Sequence, residues 1–309
     1  GFAPQSLSNL AWAYAKLGLN DERFFRVVGE EALAQVRGFR AQELSNVLWA
    51  FATVEVEDLE LCRAIAKEAI LQKKQFKAQE LSNLFWAFAS HGLRDAELFY
   101  ALAGEAHTKV SKFKPQELSN IAWSLAKLGV EEMELCHAIA GEATSKMGAF
   151  NPQDLSNIAW AAATLSLEAS QEFFRALAVR AMATWEYLAP QHLSNLAWAM
   201  GTLGFTGAEG PEAEALGALA RGALIRLGEL PALGLQNLAW AFATSSDTGS
   251  FVPGGDHEPS AESSELLTAI GRELVSRLGR FDVGAVPPAE VAAFAKHATA
   301  VVWATSFAG

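Results

Sequence analysis

An asparagine and a tryptophan three residues apart recur through most of the chain, as in the segment PQELSNIAWSLAKLG at residues 115–129. An amide donates and accepts hydrogen bonds, and an indole either fills a core or stacks on a nucleic-acid base. The recurring asparagines are Asn9, Asn46, Asn83, Asn120, Asn157, Asn195 and Asn237. They either bond one another as a ladder between neighbouring helices or face a groove and bond a ligand. For the tryptophans, the helical spacing favours packing over stacking.

Two further sets of polar residues accompany each asparagine. Seven positions after it stand Lys16, Thr53, Ser90, Lys127, Thr164, Thr202 and Thr244, which two helical turns would place on the same side of a helix. Three positions before it stand Ser6, Glu43, Glu80, Glu117, Asp154 and His192. We interpret this second set either as ligand-facing or as a solvated face with the acids that helix N-termini favour.

Basic residues cluster at intervals of one repeat in the first half of the chain. They are Arg37, Arg40, Lys73, Lys74, Lys77, Lys109, Lys112 and Lys114, with Lys146 beyond them. These residues either complement the negative C-terminal ends of helices or form an edge that binds phosphates. The later repeats mostly lack them although their helices would end in the same way, which favours the phosphate-binding interpretation.

Signatures of catalysis are missing from the sequence. It contains no HExxH, no pair of CxxC motifs, no P-loop and no GxGxxG after a strand. The six histidines are scattered, and GGDHEP around His257 is a single loose cluster. Cys62 and Cys136 occupy a repeat position that is Phe elsewhere, which indicates small core residues rather than a disulfide. We therefore expect a protein that is not an enzyme and has no metal or cofactor.

The composition is that of a folded chain without membrane insertion. Of its 309 residues 51% are apolar, and no apolar run approaches the roughly 18 residues of a membrane span. The net charge is −11, and residues 151–309 hold 8 basic against 16 acidic residues. This balance argues against a protein coated by nucleic acid but permits a local basic stripe. The chain begins at Gly1 within a repeat, so we expect a processed chain whose targeting segment is not visible.

A period of about 37 residues dictates the architecture. Trp12, Trp49, Trp86, Trp123 and Trp160 are each 37 residues apart, which is typical of stacked supersecondary units. The sequence of each unit predicts two helices joined by a short link that often contains Gly. No segment alternates between apolar and polar residues as a strand would. We therefore predict an all-α, right-handed α-solenoid of about seven to eight paired-helix repeats.

The predicted domain organisation has three parts. Residues 1–244 form repeats 1–7, the seventh being incomplete, and residues 245–264 form a flexible inserted loop rich in Ser, Gly, Pro and acid. Residues 265–309 complete the seventh repeat and add a degenerate terminal repeat. Within a first helix, the spacing places Leu118, Ile121 and Leu125 on the core side and Asn120 and Lys127 opposite.

The shared core PQ-L-SN-AWA-A-LG at this spacing resembles the heptatricopeptide and octotricopeptide repeats of algae, dinoflagellates and apicomplexans, over roughly residues 2–245. The resemblance implies a paired-helix solenoid located in a mitochondrion or plastid. It implies a role in RNA maturation, stability, translation or ribosome assembly.

Two functional hypotheses follow from these observations. In the first, a concave groove holds single-stranded RNA or a segment of structured organelle RNA, such as rRNA, with phosphates on the basic edge. In the second, the chain is a protein-binding scaffold subunit of a large organelle complex, and its acidic second half suits basic protein partners. Both roles are compatible within one chain.

Overall fold

The fold is entirely helical in the part of the chain that is described. A computed structural model describes residues 1–167, 169–205, 210–244, 261–280 and 287–306. Over these ranges the chain forms fifteen α-helices and no strand, which confirms the all-α prediction. The chain divides into two compact units, Gly1–Ala143 and Thr144–Gly309.

The helix boundaries follow the sequence period. The first unit contains α1 (Pro4–Lys16), α2 (Glu22–Ala34), α3 (Ala41–Thr53), α4 (Leu59–Gln72), α5 (Ala78–Ser90), α6 (Ala96–Thr108), α7 (Pro115–Leu128) and most of α8 (Met133–Lys146). The second contains the end of α8 with α9 (Pro152–Thr164), α10 (Gln171–Thr184), α11 (Pro190–Thr202), α12 (Pro211–Ile225), α13 (Ala232–Thr244), α14 (Ala261–Arg280) and α15 (Pro288–Ser306). Short 3₁₀ turns lead from six of the second helices into the next repeat.

Helix pairs stack in the same way within each unit. In the first unit α1 packs on α3, α3 on α5 and α5 on α7, while α2 packs on α4 and α4 on α6. In the second unit α9, α11, α13 and α15 form one such row, and α10, α12 and α14 form the other. Odd-numbered helices are therefore the first helices of their repeats, and α15 stands as the first helix of an eighth. Residues 245–260 of the predicted loop lie outside the described residues, whereas 261–264 are the first turn of α14.

Local signals fix where helices begin and end. Asn151 caps α9 by accepting a hydrogen bond of 2.8 Å from the backbone N–H of Asp154. After each first helix from α1 to α11 the chain turns through a left-handed residue, and after α7 Gly129 supplies it with φ of 63°. Glu55 and Ser166 adopt the same left-handed conformation, at φ of 58° and 48°, where their repeats lack the glycine.

The acidic residues three positions before each asparagine are caps. Glu43 and Asp154 are each only 5% exposed, and Glu80 and Glu117 are each 9% exposed. Glu43 accepts a hydrogen bond of 2.8 Å from the backbone N–H of Arg40, which precedes the helix. Glu80 and Glu117 accept the same bond, at 2.8 and 2.9 Å. The structure therefore selects the N-terminal interpretation for these acids, and they do not face a ligand.

Both cysteines lie in the core, as the sequence predicted. Cys62 is 1% and Cys136 is 3% exposed, and both are free thiols. Burial, with nearby carboxylates, raises the pKa of the Cys62 thiol to about 12 and that of Cys136 to about 11. Almost no reactive thiolate is therefore present near neutral pH.

We expect iodoacetamide to leave both thiols unmodified in the native protein at mildly alkaline pH. Both should alkylate rapidly once denaturant unfolds the chain, since the unfolded pKa is about 8.5. Mass spectrometry of timed samples checks this. Rapid native labelling of Cys62 would contradict the buried position.

The first repeat shows what a neighbouring repeat contributes. Leu10 is 37% exposed, whereas the equivalent residues Val47, Leu84 and Ile121 are 0% exposed. In the described residues a preceding repeat covers Val47, Leu84 and Ile121 and none covers Leu10, so this side of the first helices packs against the repeat before it. The neighbour therefore supplies the burial that a single helix pair cannot achieve.

The substitution Leu84→Ala should lower the free energy of unfolding by about 2–5 kcal/mol, because it leaves a cavity at a fully buried site. The chemically identical substitution Leu10→Ala should cost less than about 1 kcal/mol, because solvent already reaches that side chain. Urea unfolding followed by circular dichroism compares the two variants. Equal losses would show that the first repeat is covered in solution.

Candidate nucleic-acid interface

One side of the first helices gathers the recurring polar and aromatic residues. The asparagine, the tryptophan three residues on and the polar residue seven residues on fall within an arc of about 60°. Within each unit, equivalent residues of successive repeats meet: the ring centroids of Trp49 and Trp86 are 6.5 Å apart, and those of Trp198 and Trp240 are 6.2 Å apart. We call this surface, separately in each unit, the Asn–Trp face.

The residues of this face are neither core nor fully exposed. Asn9, Lys16, Lys127 and Thr164 are exposed, and Asn46, Asn83, Asn120, Asn157, Asn195, Asn237, Thr53 and Ser90 are half-buried. Trp12 is 43% exposed, and the other six tryptophans of the face are half-buried. Each indole therefore packs against its neighbours while keeping part of its surface in contact with solvent.

Part of the hydrogen-bonding capacity of this face is used within the protein. The amide of Asn237 donates to that of Asn195 at 3.5 Å, which is one step of the ladder that the sequence allowed. The hydroxyl of Thr53 donates to the backbone carbonyl of Trp49 at 2.8 Å. Thr202 and Thr244 make the same bond, at 2.8 and 2.9 Å. These hydroxyls are therefore committed to their own helices as donors.

Two lysines lie over the aromatic rings. The Nζ of Lys16 stands 4.9 Å from the ring centroid of Trp49 and 5.7 Å from that of Trp12. The Nζ of Lys127 stands 4.7 Å from the ring centroid of Trp123. Such cation–π contacts fix an ammonium above an indole. Partial burial there lowers the pKa of Lys127.

Most of the predicted phosphate-binding residues lie at the N-terminal ends of first helices in the first unit. Arg40, Lys77 and Lys114 immediately precede α3, α5 and α7. The exposed residues are Arg37, Arg40, Lys74, Lys77, Lys112 and Lys114, with Lys73 half-buried. We call these seven residues the basic edge. The positive ends of the helix dipoles add to their potential, although Arg40 also pairs with Glu43 at 2.6 Å.

Lys109 has a different role from its neighbours. Its Nζ donates to the carbonyl oxygen of Phe76 at 2.6 Å and pairs with a carboxylate oxygen of Glu105 at 2.6 Å. Its side chain is only 16% exposed. The ammonium thus links the end of the second helix to the turn that begins the same repeat. Because its bonds are made within the protein, it is less available to a phosphate than the exposed lysines are.

The same closure recurs in both units, and sequence reasoning missed it. Gln35 donates to the carbonyl of Phe2 at 3.1 Å, and Gln72 donates to that of Phe39 at 2.8 Å. In the second unit Arg180 bonds the carbonyl of Phe150 through two nitrogens, at 2.9 and 2.7 Å. The available signal was a long polar side chain near the end of the second helices, with Gln35, Gln72 and Lys109 each 37 residues apart and Arg180 about one turn earlier in its repeat. Its partner is a backbone atom, which no side-chain pattern reveals.

The substitution Lys109→Met should lower the free energy of unfolding by about 1–2 kcal/mol, because it removes a charged hydrogen bond and leaves the Phe76 carbonyl without it. Lys112→Met serves as the matched control, since Lys112 is exposed in the adjoining turn, and it should change stability by less than about 0.5 kcal/mol. Chemical denaturation measures both. A neutral Lys109→Met would refute the closure role.

Distances along a first helix sort the candidate contacts. With a rise of 1.5 Å per residue, the asparagine lies about 9 Å from the helix start, the tryptophan about 13 Å and the polar position about 20 Å. A ligand phosphate at the basic edge therefore brings its own base near the asparagine and the tryptophan. The polar residues at the far end of the helix, such as Thr53 and Ser90, lie beyond that reach.

The fold defines a helical-repeat protein, a class whose stacked repeats present extended surfaces. Residues 1–244 match the family model described as RNA-editing substrate-binding complex 6 protein, and the chain belongs to that family. No curated protein matches the chain. The family thus differs from the heptatricopeptide and octotricopeptide repeats that the core resembles, while the helical-repeat architecture implied by that resemblance is confirmed.

Over the described ranges, no group of three or more His, Cys, Asp or Glu residues is placed to hold a metal ion. None of the helices of the described chain combines the length and the apolar character that crossing a membrane requires.

Proposed function

We propose that the chain is a non-catalytic, RNA-binding subunit of a mitochondrial complex that holds the substrates of RNA editing. The basic edge of the first unit carries this proposal, supported by the family to which residues 1–244 belong. In it, single-stranded RNA or an unpaired segment of a structured RNA lies across the first helices. Its phosphates contact the basic edge and its bases lie over the Asn–Trp face.

The charge distribution of the first unit supports this orientation. The exposed basic residues concentrate at the start of first helices, where the carboxylates Glu43, Glu80 and Glu117 are buried as caps, whereas other acidic residues begin the second helices at the other end of the unit. Asp58 and Glu60 stand at the start of α4, and Asp95 and Glu97 stand at the start of α6. A nearly balanced sequence therefore builds a unit with one cationic and one anionic edge, and an RNA backbone is attracted to the former.

The decisive experiment measures binding of an unstructured oligoribonucleotide by fluorescence anisotropy over a series of salt concentrations. The triple substitution of Lys73, Lys74 and Lys77 by Glu should weaken binding strongly and flatten the salt dependence. Since each single-strand phosphate contact contributes about 0.7 to the slope of log affinity against log salt, three lost contacts should reduce that slope by about 2.

A matched variant separates a local site from a general charge effect. Arg23, Arg26 and Arg94 are also exposed but lie near the start of α2 or in the link before α6, at the end of the helices opposite the basic edge. Their replacement by Glu changes the net charge equally and should leave the salt slope nearly unchanged. Equal losses in both triple variants would mean that no specific edge exists, and no binding by the unaltered chain would remove the proposal.

A protein-binding role is the second candidate, and the acidic edge favours it. The second half of the chain, with 8 basic and 16 acidic residues, likewise suits a basic protein partner. Retention of the chain in its purified complex after complete ribonuclease digestion would support direct protein contacts. Release by ribonuclease would indicate that RNA is the main link.

A further inference from the structure

We propose that unpaired RNA bases bind the Asn–Trp face by stacking on its tryptophans, so that the face holds single strands with little regard to base identity. This inference rests on the proposed function and specifies how the same surface recognises its ligand. The ring faces at issue include Trp49 and Trp86 in the first unit, with Trp198 and Trp240 as their counterparts in the second.

The lysines of the face show that these rings can be approached from solvent. Lys16 and Lys127 are exposed residues, yet their ammonium groups stand 4.9 and 4.7 Å from the ring centroids of Trp49 and Trp123. A surface lysine does not block the ring face beneath it. A ligand reaches that face by displacing the lysine or by binding beside it. The two ammonium groups therefore mark the positions that a stacked base would take.

The other repeats offer the same surface without the lysine. At the position of Lys16 and Lys127 the intervening repeats have Thr53 and Ser90, and the second unit has Thr164, Thr202 and Thr244. These side chains are too short to cross an indole, and the Thr53 hydroxyl is bonded to the Trp49 carbonyl. Lys16 covers Trp49 from the preceding repeat, whereas the rings of Trp86, Trp198 and Trp240 have no lysine at this position in their own or the preceding repeat.

Neighbouring indoles of the face lie close together without being parallel. The Trp49 and Trp86 planes are tilted by 37° at a centroid distance of 6.5 Å, and those of Trp198 and Trp240 by 39° at 6.2 Å. A flat group between two parallel rings needs about 3.5 Å on each side, or about 7 Å in all. Since both centroid distances are shorter than that, a base stacks on the exposed part of a ring and not between two rings.

The hydrogen-bonding groups of the face are less available than its rings. Asn237 is bonded to Asn195, and three threonine hydroxyls donate to their own helices. The asparagines are also identical in every repeat, so they cannot distinguish one base from another. Contacts through the π-faces, which every base possesses, remain the main source of base affinity.

The experiment compares an oligoadenylate with an abasic oligomer of the same length, which retains the phosphates and lacks the bases. The unaltered protein should bind oligoadenylate more tightly, with quenching of tryptophan fluorescence. Trp86→Leu should weaken oligoadenylate binding about ten-fold, within the range measured for loss of one stacking contact, while leaving abasic binding unchanged. Trp86→Phe should restore much of the difference, because it retains an aromatic face.

Trp185→Leu is the matched control, since this half-buried indole lies in a 3₁₀ turn away from the Asn–Trp face. It should leave both affinities unchanged, and thermal unfolding checks that each variant is folded. Equal binding of the two oligomers, or an unaltered preference in Trp86→Leu, overturns the stacking inference while RNA binding stands. Absence of binding to either oligomer instead rejects the proposed function itself.

Discussion

The structure depends on the burial that each helix pair obtains only from its neighbour. Leu10, at the start of the array, is 37% exposed, but its counterpart Leu84 is fully buried because a preceding repeat covers it. This requirement forces equivalent helices into contact and orients every first helix alike within a unit. The polar side that remains, with Asn46, Trp49 and their equivalents, is therefore aligned by core packing and not by interactions among the polar residues themselves.

A second constraint decides which basic residues are free. In six of the described repeats a bond runs from the end of the second helix to the carbonyl of a residue that leads into the first helix. Gln72 and Lys109 perform this task in successive repeats. The carbonyl therefore accepts its hydrogen bond from an amide in one repeat and from an ammonium in the next. Lys112, three residues after Lys109, is exposed. The sequence therefore gives the number of basic residues. The hydrogen bonds that close the repeats determine which of these residues stay available to a ligand.

The periodicity predicted most of the fold because helix boundaries here are set by local signals. Pro115 begins α7 and left-handed Gly129 follows its end, as residue types alone indicate. The candidate site was harder to predict, because a polar side chain at a helix end either bonds a backbone group or extends into solvent. The residue type alone does not decide between the two. Glu117 turns back to cap α7 and Lys109 to close its repeat. The start of α14 at Ala261 was also missed, because Ser and Glu suit a helix start as well as a loop.

The identity of the repeated residues limits what this surface can recognise. A code that reads sequence requires contacts that differ from repeat to repeat, yet the amide and the indole nearest the basic edge are the same throughout. The variable positions lie about 20 Å from the helix start, and several of their hydroxyls are engaged by the backbone. Within the proposed function, a surface of this kind holds an extended strand without selecting its sequence. Selection of particular RNAs would then fall to contacts outside the Asn–Trp face.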